Sequence, residues 1–136
     1  MTPTSPTPLV PGDLVTRVNS LATLVRALPP TLVEQRLLVW QEPGLPVRWH
    51  ELLDAVTVGR HPRCEVVLET PSVSRRHARI EPREDGWWII DLESSHGVRR
   101  NGRKIEHEVP LCPGDWLEFG ATGMGYLEMP EAPPGQ

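Results

Sequence analysis

At 136 residues, with 38% hydrophobic residues and five tryptophans, the chain is long enough to bury one core and short for several domains. A formal net charge of −4 argues against a general nucleic-acid binder, every apolar run is broken well short of membrane-spanning length, and two cysteines are too few for a disulfide framework. The N-terminal stretch also lacks the basic region and apolar core of a signal peptide, so the expectation is a cytoplasmic protein with no nucleic-acid or membrane partner.

Residues 1–12 are rich in Pro, Thr and Ser and read as a disordered tail. Asp13 is a plausible N-cap for "LVTRVNSLATLVRAL", which places Leu14, Val18, Leu21, Val25 and Leu28 on one stripe. Pro29 and Pro30 stop it, giving a short amphipathic helix over 13–30. Such a helix packs on its own domain, although its near-heptad spacing also permits a partner helix.

From residue 34 to 129 the texture changes. The segments "RLLVWQ", "VRWHEL", "AVTVGR", "CEVVL", "HARIE", "GWWIID", "GVRR", "DWLEFG" and "GMGYLEM" are short, alternating or β-branched. Turn signals such as "QEPGLP", "REDG", "RRNG" and "CPGD" separate them. This pattern predicts an all-β sandwich of antiparallel sheets. Adjacent Trp87 and Trp88 must face opposite sides, so one is partly exposed or lies under the N-terminal helix. Residues 130–136 read as a flexible C-terminal tail.

Charge is unevenly placed. Residues 1–58 hold four Arg and five acids, 59–104 hold nine Arg and one Lys against seven acids, and 105–136 hold six acids and no base. A basic middle in an acidic chain suits a small anion site, or else a solvated face. Three motifs fall at turns in that middle: Gly59-Arg60, Ser74-Arg75-Arg76-His77, and "SSHGVRRNG" from Ser94 to Gly102. The loops at one end of a sandwich cluster, so these can converge. Guanidinium, hydroxyls and glycine-freed backbone N–H groups together suit a phosphate.

Other chemistry finds less support. Ser74 with His77 as nucleophile and base needs an orienting group and an oxyanion donor, and no residue is singled out for either. No catalytic residue is expected, and the chain does not read as an enzyme. His61-x2-Cys64 and His107-x4-Cys112 lack the tight, repeated spacing of zinc sites, so neither metal nor cofactor is expected. The run "RRNGRK" reads as a hairpin with Asn-Gly at its centre.

In this order and at these spacings the motifs resemble the forkhead-associated (FHA) domain, over roughly Leu37 to Met129. The resemblance implies about eleven strands in a β-sandwich whose apical loops bind a phosphothreonine peptide without catalysis. It therefore implies an adaptor in Ser/Thr-kinase signalling, with a phosphothreonine-containing protein as partner and a Ser/Thr kinase as a further one. Carried over by position, Arg60 would clamp the phosphate and Ser74 would donate its hydroxyl and amide. Arg75 would point a basic group at the phosphate, and the Ser95 hydroxyl would help to hold it. Gly59 and His77 would be architectural, with Gly97, Asn101 and Gly102 completing the loop and hairpin behind the site.

Two positions depart from the family pattern. His96 stands where an Asn usually holds the peptide backbone, and it offers one bond rather than two-sided amide pairing, so backbone grip should be weaker. Val98 replaces a frequent Thr, a packing change. The alternative reading is a structural or assembly subunit, with the fold as a scaffold and the N-terminal helix as partner or dimer surface. Some small bacterial members are switched by phosphorylation of a flexible tail, which makes Thr2, Thr4 and Thr7 candidate sites. Oligomeric state stays open.

Overall fold

The computed structural model describes residues 21–28 and 36–128. The expected tails at 1–12 and 130–136, and the first part of the expected helix, lie outside these residues. Residues 21–26 are helical, and the rest forms eleven strands. These are β1 (Arg36–Trp40), β2 (Arg48–Glu51), β3 (Val56–Gly59), β4 (Val66–Val67), β5 (Ala78–Arg83), β6 (Gly86–Asp91), β7 (Val98–Arg100), β8 (Arg103–Lys104), β9 (Glu108–Pro110), β10 (Trp116–Phe119) and β11 (Thr122–Glu128).

Two sheets pack face to face, one ordered β2-β1-β11-β10-β7-β8 and the other β4-β3-β5-β6-β9. The predicted sandwich is the observed fold, with one correction to its pairing. β3 and β4 run parallel, with Val58 opposite Val66 and Gly59 opposite Val67, so residues 60–65 do not form a hairpin. All other pairs are antiparallel.

Strand alternation fills the core. Val56 and Val58, Ala78 and Ile80, Trp87 and Ile89, Leu117 and Phe119, and Met124 and Tyr126 all point inward and are buried. Each large apolar side chain so buried contributes about 1.5–3 kcal/mol.

The outer face of the first sheet is covered as well. Leu37 and Val39 alternate with the core residues Leu38 and Trp40, so they face away from the core, yet they are fully buried. The helix covers this face. Leu24 is buried, and a Cβ on Gly125 would lie 2.4 Å from Cδ1 of Leu21. Gly125 pairs with Val39 on β1 and with Trp116 on β10, so the absent side chain leaves room for the helix. Gly123 does the same for the Trp116 ring, whose Cζ2 would be 2.1 Å from a Cβ.

One expectation is corrected here. The most buried residue of the described helix is Leu24, outside the predicted stripe, while Leu21, Val25 and Leu28 are half-buried. The expectation for the adjacent pair holds in its first form: Trp87 is buried in the core and Trp88 is partly exposed. It sits on the outer face of the other sheet, where the Arg83 guanidinium stacks 4.6 Å from its ring centroid.

Candidate functional site

The segments after β3, before β5 and after β6 meet at one end of the sandwich, and backbone hydrogen bonds stitch them together. Arg60 N–H donates to the Ser74 carbonyl and His61 N–H to the Arg75 carbonyl, each at 3.1 Å. So close an approach explains Gly59, since a Cβ there would lie 2.1 Å from the Arg75 carbonyl oxygen. That contact is with backbone, which cannot rotate away. Gly59→Ala is therefore expected to destabilise the protein by about 1–3 kcal/mol, the usual cost of overpacking. Denaturant unfolding checks this, and an unchanged midpoint would mean the two segments separate freely.

His77 ties the same segment to the β6–β7 loop from beneath. Its side chain is fully buried, edge-on to Phe119 with centroids 5.6 Å apart. Nδ1 accepts from the Ser74 backbone N–H at 3.0 Å. Because an amide can only donate, Nδ1 carries no proton, and Nε2–H donates to the Gly97 carbonyl at 2.7 Å. Burial pushes the imidazole below its ordinary pKa, and the Gly97 carbonyl opposes that shift in part. The nitrogen that a serine nucleophile would need is thus occupied by the serine's own backbone. Ser74 and His77 are joined, but not as nucleophile and base.

The upper surface of the site is polar and open. Ser74 Oγ accepts from the Ser95 backbone N–H at 3.0 Å, leaving the serine O–H to donate elsewhere. Ser94 is held by Asp91, which accepts from its N–H at 3.1 Å and its hydroxyl at 2.7 Å. Arg60 is exposed and donates through Nε to the Val73 carbonyl. Its two terminal nitrogens have no partner among the described residues. Arg75, Ser95 and His96 are exposed around the same rim. A groove of about 350 Å³ runs from His96 and Gly97 past Ser72 onto Arg99 and Glu118.

The predicted residues do not all gather there. Asn101 and Gly102 lie at the far end of β7, in a two-residue turn with φ of 54° and 86° that suits an Asn-Gly hairpin. Asn101 braces this hairpin against β10. Its Nδ2 donates to Asp115 at 2.9 Å, and its Oδ1 accepts from Trp116 N–H at 2.8 Å. Gly97 borders the site itself with φ of 76°, and a Cβ there would meet Lys104 Cε at 2.6 Å.

Sequence reasoning missed the Val73 carbonyl that orients Arg60, the Asp91 brace and Ser72, whose Oγ accepts from Ala121 N–H at 2.8 Å. Only Asp91 carried a local signal, an acid followed three residues later by serine. A free guanidinium fork, a serine hydroxyl and exposed hydroxyl and basic groups on a braced frame can hold a tetrahedral oxyanion.

Known proteins agree with this architecture. The family model of the FHA domain matches residues 56–120. The glycogen accumulation regulator GarA of Mycobacterium tuberculosis is 32% identical over 115 residues, which cover 83% of this chain and 68% of that one. The chain belongs to the FHA domain family. Another relative is the oxoglutarate dehydrogenase inhibitor of Corynebacterium diphtheriae, 33% identical over 98 residues, spanning 71% of this FHA protein and 66% of the inhibitor. Among solved structures, the FHA domain of the CT664 protein from Chlamydia trachomatis superposes with a TM-score of 0.65 at 29% identity. That match covers 71% of this chain and the whole of the other.

Proposed function

We propose that this FHA protein is a non-catalytic adaptor that binds phosphothreonine peptides in Ser/Thr-kinase signalling. The observation that carries the reading is the Arg60 fork, left open beside the Ser74 hydroxyl on a frame cross-linked by backbone hydrogen bonds. Arg60 clamps the phosphate, with Ser74, Arg75 and Ser95 around it, while His96 faces the peptide backbone. Gly59, His77 and Gly97 hold the loops in place. The partner is a phosphothreonine-containing protein, made so by a Ser/Thr kinase that is itself a candidate partner, and the setting is the cytoplasm. The relatives named an inhibitor and a regulator fit a protein that acts by binding. Among the described residues, no helix is long and apolar enough to cross a membrane.

The assembly reading has less to stand on, because Leu21 and Leu24 of the helix are spent on the protein's own sheet. A tail switch at Thr2, Thr4 or Thr7 concerns residues outside those described.

The test is a titration against degenerate phosphothreonine, phosphoserine and unphosphorylated peptide pools at two salt concentrations. Binding is expected for the phosphothreonine pool, weakening as salt screens the exposed arginines. Equal affinity for the unphosphorylated pool would refute the proposal.

A further inference from the structure

We infer that Glu42, remote from every motif residue in sequence, is a positioning residue for this site and sets the loop that presents Ser74 and aims Arg60. The inference rests on the proposed function for its effect on affinity, but its geometry stands independently. Glu42 follows β1 and is only 3% exposed. Its Oε1 accepts three hydrogen bonds from the loop before β5: Glu69 N–H at 2.7 Å, Thr70 N–H at 2.8 Å and the Thr70 hydroxyl at 2.6 Å. Two successive amides donate to this one oxygen, an arrangement that an anionic acceptor favours. Bonds from neutral donors to a carboxylate are also stronger than neutral pairs.

The loop carries this constraint forward. The Thr70 hydroxyl in turn accepts from Thr122 at 2.7 Å, which anchors it to β11. Val73 N–H donates to the Thr70 carbonyl at 3.0 Å, closing the turn Thr70-Pro71-Ser72-Val73 with Pro at its favoured second position. The products of that turn are the parts the site uses. The Val73 carbonyl receives Arg60 Nε, the Ser74 carbonyl receives Arg60 N–H, and Ser72 Oγ receives Ala121 N–H beside the groove. A carboxylate 28 residues before Thr70 therefore reaches the Arg60 side chain through one turn.

The second carboxylate oxygen, Oε2, is buried with no hydrogen-bond partner among the described residues, an unfavourable arrangement. An apolar side chain there would leave the Glu69 and Thr70 amides and the Thr70 hydroxyl without this acceptor. What the carboxylate adds is a single conformation for residues 69–74.

The experiment compares wild type, Glu42→Ala and Glu42→Gln by amide hydrogen exchange without peptide and by titration with a phosphothreonine peptide. In Glu42→Ala, exchange at the Arg60 and Ser95 amides is expected to rise about tenfold or more while β5–β6 amides keep their protection, and peptide Kd is expected to rise about tenfold. Glu42→Gln keeps one acceptor oxygen and should recover part of both effects; it also decides the matter if the alanine variant does not fold. Unchanged exchange at Arg60 and Ser95, or a uniform rise across the sheets, would overturn the inference. If wild type binds no phosphopeptide, the proposed function fails, while the exchange pattern still decides the role of Glu42.

Discussion

Arg60→Ala is expected to weaken phosphothreonine-peptide binding about thirtyfold or more and to leave stability nearly unchanged. Truncating one partner of a hydrogen-bonded charge pair removes about 2–5 kcal/mol. At about 1.4 kcal/mol per tenfold, that spans roughly thirtyfold to several thousandfold. Stability should hold because the side chain is exposed and its contact with the fold is one hydrogen bond to the Val73 carbonyl. The backbone bond to Ser74 survives the substitution. A shift within about 0.5 kcal/mol is the usual result for such a surface position. Arg60→Lys should recover only part of the affinity, since an ammonium is a point charge without the fork. Calorimetric titration beside a thermal melt checks both halves, and a folded Arg60→Ala protein with wild-type affinity would remove Arg60 from the site.

His77→Ala carries the largest expected loss of stability, about 3–5 kcal/mol. It leaves a cavity beside Phe119 and orphans the Ser74 N–H and the Gly97 carbonyl. A pH dependence goes with it. The folded imidazole lies below the ordinary histidine value of 6.5, mainly through burial. As pH falls below 6.5, the unfolded chain takes up a proton that the folded chain resists. Unfolding is then favoured, so the stability contributed by neutral His77 is present above 6.5 and is lost on acidification. His77→Gln can still accept from Ser74 and donate to Gly97 but cannot titrate. Chemical denaturation from pH 7.5 down to about 5.5 should show a smaller loss for the glutamine variant than for wild type. Parallel losses in the two proteins would mean that His77 does not titrate between the two states.

These two residues were legible because short motifs carry them. Gly59-Arg60 and Ser74 to His77 fall at strand ends, and alternating apolar residues made those strands visible. Other features left little trace in the sequence. β8 is two charged residues, Arg103 and Lys104, and β9 ends in a proline, so neither presents an apolar alternation. The packing of the helix was hidden because Leu21 lies over Gly125 on β11, and a glycine gives no apolar signal for its partner. The parallel pairing of β3 with β4 depends on a turn whose conformation is set by the tertiary bonds of Arg60 and His61. Glu42 reads as an ordinary surface acid before Pro43-Gly44. Only folding brings Glu69 and Thr70 onto its carboxylate. Local chemistry announced the residues proposed to touch a ligand, whereas the residues proposed to aim them act across long sequence separations.

The most direct test is amide chemical-shift mapping of the folded protein as a phosphothreonine peptide is added. The largest changes are expected at Arg60, Ser74, Arg75, Ser95 and His96, with the outer face of the first sheet unaffected. Changes centred instead on residues 21–26 and Trp116, with the apical loops still, would contradict phosphate recognition at this end of the sandwich.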